Sequence, residues 1–319
     1  MCWRLPIMGK RVVLLFAGQG AQTVGMGRDL AEKFDSVREL FARADEQLGY
    51  SLTEKMFDGP APKLTRTSIC QPALYTHGLA CLDILKEQVP DLEIAGCAGL
   101  SLGEFSAHAA AGTFTFETGL DLVAKRGAFM EEATGAVEGA MAALIGGEEE
   151  EIRKLAEACD VDVANINAPG QIVISGTVAG IDKAIAAASD HGIRLAQKLD
   201  VAGAYHSRLM MPAQEKLAGV LADLNLARPA VPVICNVSAQ EVSEPDEIRR
   251  TLEAQVSGSV LWSDCVRNFI DRGETNFIEL GPGRVLAGLM RRIDRSIKPL
   301  SFSDVEGLEQ VVTSLHEDS

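Results

Sequence analysis

The sequence predicts an α/β fold carrying a second, ferredoxin-like unit, and three observations predict it. Short apolar runs closed by glycine or polar turns recur along the chain, segments of helical period separate them, and residues 138–200 switch to a βαββαβ order. The chain has 319 residues, about twice a ~150-residue domain, so one large domain with a smaller companion is expected.

The run Val12-Val13-Leu14-Leu15-Phe16-Ala17 is continuously apolar and ends at Gly18, as expected of a strand covered on both faces in a parallel sheet; residues 94–98 read the same way. Residues 231–235 and 276–280 are again short, β-rich and bounded by polar or Gly-Pro-Gly turns. Between them, Pro72 suits the first turn of a helix through Leu85, and Thr115 with Glu117 opens another to about Ala133. In the smaller unit, strands at 140–145, 161–167, 171–175 and 193–199 alternate with helices at 148–159 and 178–191. Ile152, Leu155, Ala156 and Cys159 form one apolar stripe, while Glu148 to Glu151 stand where the helix dipole favours acids. That acidic run reads as a solvated helix start rather than a metal site. Ser303 with Glu306 forms a capping box ahead of Leu308, Val311, Val312 and Leu315, an apolar face for a last helix.

Composition narrows the function. With 47% hydrophobic and 24% charged residues the chain is globular, and 30 Lys plus Arg against 45 Asp plus Glu give a net charge of −15. Such a field repels phosphate backbones and anionic lipid, so neither nucleic acid nor membrane is expected as a partner. Seven cysteines lie singly with no C-x-x-C pair, which suits a reducing cytoplasm. Residues 1–11 lack the apolar core of a signal peptide, and residues 12–18 are too few to span a bilayer.

Gly99-Leu100-Ser101-Leu102-Gly103 follows the 94–98 strand and precedes a helical stretch ending near Gly112. Strand, G-x-S-x-G, helix is the context of a nucleophile elbow, in which a sharp turn lifts the serine above the sheet and needs small residues two places before and after it. The N–H of Leu102, at a helix N-terminus, can donate to an oxyanion. An ordinary strand-to-helix turn is the alternative. Gly18-Gln19-Gly20-Ala21-Gln22 invites a nucleotide-binding reading, but Thr23 and Met26 stand where the dinucleotide and P-loop patterns require glycine and lysine. A glycine-rich turn can instead bring a second N–H to a reacting carbonyl. Two histidines compete as base. His108, seven residues along the elbow helix, lies ~10 Å from the serine along the axis; His206 sits in a loop returning from the smaller unit, where an uninvolved loop histidine is equally compatible. On sequence alone Arg126 is a surface helix arginine.

Taken in order, Gly18 to Gln22, Gly99 to Gly103, Lys125-Arg126-Gly127, His206-Ser207, Gln255 and Glu279-Leu280-Gly281-Pro282-Gly283 resemble the malonyl-CoA:acyl carrier protein transacylase family over about residues 12–293. The resemblance implies an α/β-hydrolase-like parallel-sheet domain, 1–136 with 201–319, and an inserted ferredoxin-like domain, 137–200. It also implies a Ser101–His206 dyad with the backbone carbonyl of Gln255 orienting the imidazole, oxyanion donors on Gln19 and Leu102, and Arg126 gripping the malonyl carboxylate. Asn165 and Asn167 fall near the family's cleft, where hairpin structure explains them equally well. Arg291 and Arg292 match the family's proposed carrier-docking positions, and helix-end charge is their other reading.

The activity implied is ping-pong transfer of malonyl from malonyl-CoA through Ser101 to the phosphopantetheine thiol of acyl carrier protein, in a cytoplasmic monomer without metal or redox cofactor. A serine hydrolase and a non-catalytic scaffold of the same fold are the rivals. This sequence departs from the family's usual residues at Leu100 (histidine), Tyr205 (phenylalanine or serine), Arg208 and Ser259 (both proline).

Overall fold

The computed structural model describes residues 10–317. Cys2 and the stretch read for a leader thus lie outside the described residues, except for Lys10 and Arg11. Two four-stranded sheets organise the chain. In the first, β1 (Arg11–Phe16), β2 (Glu93–Gly99), β7 (Phe277–Leu280) and β8 (Leu300–Phe302) run parallel in the order β2-β1-β7-β8. Val12 to Leu15 are wholly buried, as the two-sided covering of a parallel strand requires. Phe16 pairs with Gly99 on one side and Leu280 on the other, so the loops after three strands open at one carboxyl edge. That edge is where ligands sit in open α/β sheets.

The second sheet holds β3 (Gly139–Ile145), β4 (Asp162–Ala168), β5 (Gln171–Thr177) and β6 (Leu195–Lys198) in the order β4-β5-β3-β6, with every neighbour antiparallel. With helices Glu149–Ala158 and Val178–Ala187 this is the ferredoxin-like arrangement, second, third, first and fourth strand in space. Ile152, Leu155, Ala156 and Cys159 are buried in its own apolar core. The two chain crossings lie side by side, since a Cβ on Gly139 would come 2.6 Å from that of Ala204. The second sheet is tied to the larger unit where Val260, in the loop before the helix Trp262–Asp271, donates to the carbonyl of Ala164 at 2.8 Å and accepts from the N–H of Ile166 at 2.9 Å.

Three local expectations are corrected. The helix containing Pro72 begins at Thr67 and runs to Gln88, with the proline inside it. Its missing N–H would have bonded the Ser68 carbonyl, a loss confined to one position near the start of a long buried helix. Residues 231–235 form no regular strand. They touch the β2 edge through a Cys97–Val233 bridge, with Cys97 donating to the Pro232 carbonyl at 2.8 Å and Ile234 donating back at 3.2 Å; Pro232, without an N–H, stops the ladder from extending. The last helix, Val305–Glu317, is capped by Asp304, whose Oδ1 accepts from Gly307 N–H at 2.7 Å, and by Asp29 from afar, not by Ser303. Leu308, Val311 and Leu315 are buried as expected.

Candidate active site

Ser101 stands between the last residue of β2 and the helix Leu102–Ala110 with φ 54° and ψ −106°, a backbone conformation that L side chains rarely adopt. The glycines beside it are sterically compelled. A Cβ on Gly99 would sit 1.9 Å from the backbone of Gly103, and one on Gly103 would sit 2.1 Å from the carbonyl oxygen of Phe16. The elbow therefore packs directly over the end of β1. Asn236 clasps it from the other side: its Oδ1 accepts from Ser101 N–H at 2.7 Å and its Nδ2 donates to the Gly99 carbonyl at 2.9 Å.

Ser101 Oγ lies 2.7 Å from His206 Nε2. The imidazole Nδ1 faces the backbone carbonyls of Gln255 at 2.9 Å and Gly258 at 3.2 Å. With two carbonyl acceptors there, Nδ1 carries the proton and Nε2 has its lone pair toward the serine. His206 also holds a positive φ, 55°, in a turn tied by Ser207 Oγ donating to the Ala204 carbonyl at 2.6 Å. Burial, then the Arg126 cation, push the imidazole down to about 4. It is neutral at physiological pH. His108, by contrast, is wholly buried with Nδ1 3.0 Å from Thr113 Oγ1, and among the described residues makes no hydrogen bond to Ser101.

Arg126, on the helix Phe116–Ala136, is 1% exposed rather than on the surface. Its Nη1 donates to Gln71 Oε1 at 2.8 Å, and its Nη2 donates to Gln255 Oε1 at 2.8 Å and to Ser101 Oγ at 3.1 Å. Nε has no partner, and the guanidinium lies 5.2 Å from the Phe105 ring centroid. Burial lowers Arg126 to about 10, which leaves it charged at neutral pH. A buried guanidinium with an unmatched donor beside a nucleophile is suited to a small anionic group.

The loop after β1 supplies Gln19. Gly18 lies so close to the elbow that a Cβ there would meet the Leu100 carbonyl oxygen at 2.5 Å, which fixes the following N–H against the serine turn. Among the described residues no acceptor engages the backbone N–H of Gln19 or of Leu102. A cavity of about 780 Å³ runs between the two sheets, lined by Ser101, His206, Arg126 and Gln19 and, from β4, by Asn165 and Asn167. Asn167 Oδ1 is buried without a partner. Arg291 and Arg292 lie apart from these groups, exposed at the end of the helix Val285–Ile293, whose N-terminus Glu279 caps by accepting from Leu286 N–H at 3.0 Å and Ala287 N–H at 2.8 Å. Neither arginine makes an ion pair among the described residues.

The unusual residues also find places. Leu100 lines the cavity, and Tyr205 ties its hydroxyl to Thr67 Oγ1 at 2.6 Å. Arg208 pairs with Asp160 and Asp162, and Ser259 Oγ donates to the Val163 carbonyl at 2.5 Å, so both link the His206 side of the cleft to the second sheet. Sequence reasoning missed the side chains of Gln71, Glu104, Asn236 and Gln255. The largely apolar company of Glu104 in Leu102-Gly103-Glu104-Phe105-Ser106-Ala107 is the available signal of its burial.

Such a centre, set at the carboxyl edge of a parallel sheet, is that of an acyl-transfer enzyme of the serine type. The family model for the acyl transferase domain matches residues 13–316. A malonyl CoA-acyl carrier protein transacylase of Bacillus subtilis is 41% identical over 316 residues, which span 97% of this chain and 98% of the relative. The crystal structure of an acyl-carrier-protein-S-malonyltransferase from Bartonella henselae superposes with a TM-score of 0.91 at 37% identity, covering 97% of this chain and 100% of that one. A type II PKS acyl-carrier protein in complex with its malonyl-transacylase matches at 34% identity and a TM-score of 0.91, over 95% of this chain and 99% of that chain. The chain belongs to the malonyl-CoA:acyl carrier protein transacylase family.

The burial of His206 has a direct readout. In a pH titration followed by histidine ring NMR, with the signal assigned by its loss in His206→Gln, the midpoint is expected at about 4 instead of the ordinary 6.5. A midpoint above 6 would contradict a buried, neutral imidazole.

Proposed function

We propose that this chain transfers malonyl from malonyl-CoA to the phosphopantetheine thiol of an acyl carrier protein, in two half-reactions through a Ser101 ester. The observation that carries this reading beyond a generic serine acyltransferase is the buried Arg126 guanidinium with Nη2 3.1 Å from Ser101 Oγ. In the first half-reaction His206 Nε2 takes the Ser101 proton as Oγ attacks the thioester carbonyl. The N–H groups of Gln19 and Leu102 stabilise the tetrahedral oxyanion, and the imidazolium returns its proton to the departing CoA sulfur. The carrier thiol then attacks the malonyl ester by the reverse sequence. Arg126 holds the free carboxylate throughout, and the Gln255 carbonyl keeps the imidazole in its reactive tautomer.

Asn165 and Asn167 serve the acyl-pantetheine arm from the wall formed by the inserted domain, for which we take 137–200 as the bounds. Neither half-reaction calls for a metal or redox cofactor. Among the described residues no helix is long and apolar enough to cross a membrane. The proposed enzyme is a cytoplasmic monomer acting on a diffusing carrier. An acidic carrier meeting an enzyme of net charge −15 needs a local basic patch, which Arg291 and Arg292 supply.

Intact-protein mass spectrometry after malonyl-CoA should give one malonyl adduct that Ser101→Ala abolishes in a folded protein. An adduct persisting in that variant, or release of free malonate without labelling of carrier, would sink the transferase assignment. Removing one partner of a sheltered charge pair costs ~2 to 5 kcal/mol, so Arg126→Ala is expected to lower malonyl transfer by roughly 30-fold or more while acetyl transfer falls little or rises. Arg126→Lys should recover only part, lacking the two-pronged geometry. Equal losses for both substrates would assign Arg126 to the fold or the CoA moiety. Arg291→Glu with Arg292→Glu should raise KM for the carrier and flatten its salt dependence with the malonyl-CoA half-reaction intact; a parallel fall of both half-reactions would refute docking there.

A further inference from the structure

Glu104 is wholly buried on the elbow helix, three residues beyond Ser101, and takes no part in the steps above. Its Oε2 accepts from Gln255 Nε2 at 2.7 Å and from Asn236 N–H at 2.9 Å, while Oε1 has no partner. Gln255 Nε2 also donates to the Ser101 carbonyl at 2.8 Å, and its Oε1 accepts from Arg126. A carboxylate can only accept and a guanidinium can only donate, so an amide between them satisfies both in one orientation alone. Anion and cation are thereby joined through a neutral amide instead of a direct ion pair.

A direct pair would consume two guanidinium donors and leave little of Arg126 to recognise a ligand. The relay uses one. It still lessens the penalty of an uncompensated buried cation, because the interior screens poorly. We infer that Glu104 is a positioning residue and remote counter-ion for Arg126, acting through the Gln255 amide, and that its charge sets how strongly the site holds a substrate carboxylate. The inference rests on the reading of Arg126 as the group that binds that carboxylate.

A bound malonyl brings a second anion to the same cation, so the Glu104 charge weakens carboxylate binding and a proton on Glu104 strengthens it. Burial pushes Glu104 up to about 7. The other ionisable groups around it are Arg126, Cys235, Cys265 and, beyond Gln255, His206. Burial pushes both thiols up, Arg126 stays charged, and His206 titrates far lower. Glu104 is therefore the member of this cluster that titrates near neutrality. Lower pH favours malonyl over acetyl.

The test is kcat and KM for malonyl-CoA and acetyl-CoA in the full chain, in wild type, Glu104→Gln and Arg126→Ala. Glu104→Gln keeps an oxygen acceptor for Asn236 and Gln255 but removes the charge. It should lower KM for malonyl-CoA about tenfold, with a much smaller effect on acetyl-CoA, as expected of uniform binding to a group retained throughout the reaction. In wild type the malonyl-to-acetyl ratio of kcat/KM should climb as pH falls from about 8.5 to about 6, and it should be flat in Glu104→Gln. CoA phosphates, common to both substrates, cancel in that ratio. A Glu104→Gln effect equal for the two substrates, or a ratio that is flat in wild type, overturns the inference; the wild-type profile decides alone if the variant does not fold. Equal losses in Arg126→Ala would sink the carboxylate reading itself, whereas a malonyl-selective loss there beside a flat wild-type ratio sinks only the role of Glu104.

Discussion

The centre of this molecule is organised around one buried positive charge. Arg126 is almost completely removed from water, and a guanidinium in that position needs acceptors that do not neutralise its use. Two glutamine oxygens, from Gln71 and Gln255, meet that need from different parts of the chain. Committing Gln255 Oε1 to Arg126 turns its Nε2 toward Ser101 and Glu104, and places its backbone carbonyl behind the imidazole. One residue thus connects the cation, the elbow and the base. The aromatic face of Phe105 completes the enclosure.

Backbone strain is the second organising feature. Ser101 and His206 both hold φ near 55°, a region that costs a non-glycine residue ~1–3 kcal/mol. Neither is left to hold that geometry alone. Asn236 bonds both faces of the serine turn, and the Gln255 and Gly258 carbonyls fix the histidine ring. The same contacts that offset the strain also set the Oγ-to-Nε2 distance. Stability and reactivity therefore draw on one set of hydrogen bonds, so loss of an outlying member such as Asn236 should loosen the dyad without touching it.

What the sequence made legible follows from the range of the interactions involved. β1, β2 and the inserted unit were readable because their apolar spacing and closing glycines are local, and the elbow because Gly99 and Gly103 are demanded by contacts of under 3 Å. The ordered motif set pointed to Ser101, His206 and Arg126, which the structure brings together. The start of the Thr67–Gln88 helix was misjudged because a proline is cheapest in a first turn, whereas here packing of the helix outweighs one lost bond. Residues 231–235 read as a strand from composition, yet the proline that flanks the bridge ends the ladder. Burial of Arg126 and the linking roles of Gln71, Asn236 and Gln255 were not readable from local pattern. They depend on partners 55 to 154 residues apart in the chain, and no local period encodes such a match.

The base illustrates why a neutral partner suffices. An acidic residue behind His206 would stabilise its imidazolium and raise its proton affinity. Backbone carbonyls orient the ring and favour its protonation with only partial charge, while burial, and after it the nearby Arg126, oppose protonation. The imidazole therefore stays neutral across physiological pH, the state in which Nε2 can accept a proton from Ser101. A substrate that carries its own anion changes this balance. On the proposed reading, once a malonyl carboxylate lies against Arg126, the cation's opposition to the imidazolium would be partly cancelled, and proton transfer from Ser101 would become easier with that acyl group bound. On this geometry Arg126 would do more than select malonyl. On the proposed reading its charge would link recognition of the acyl group to activation of Ser101, which an uncharged acyl chain would not achieve.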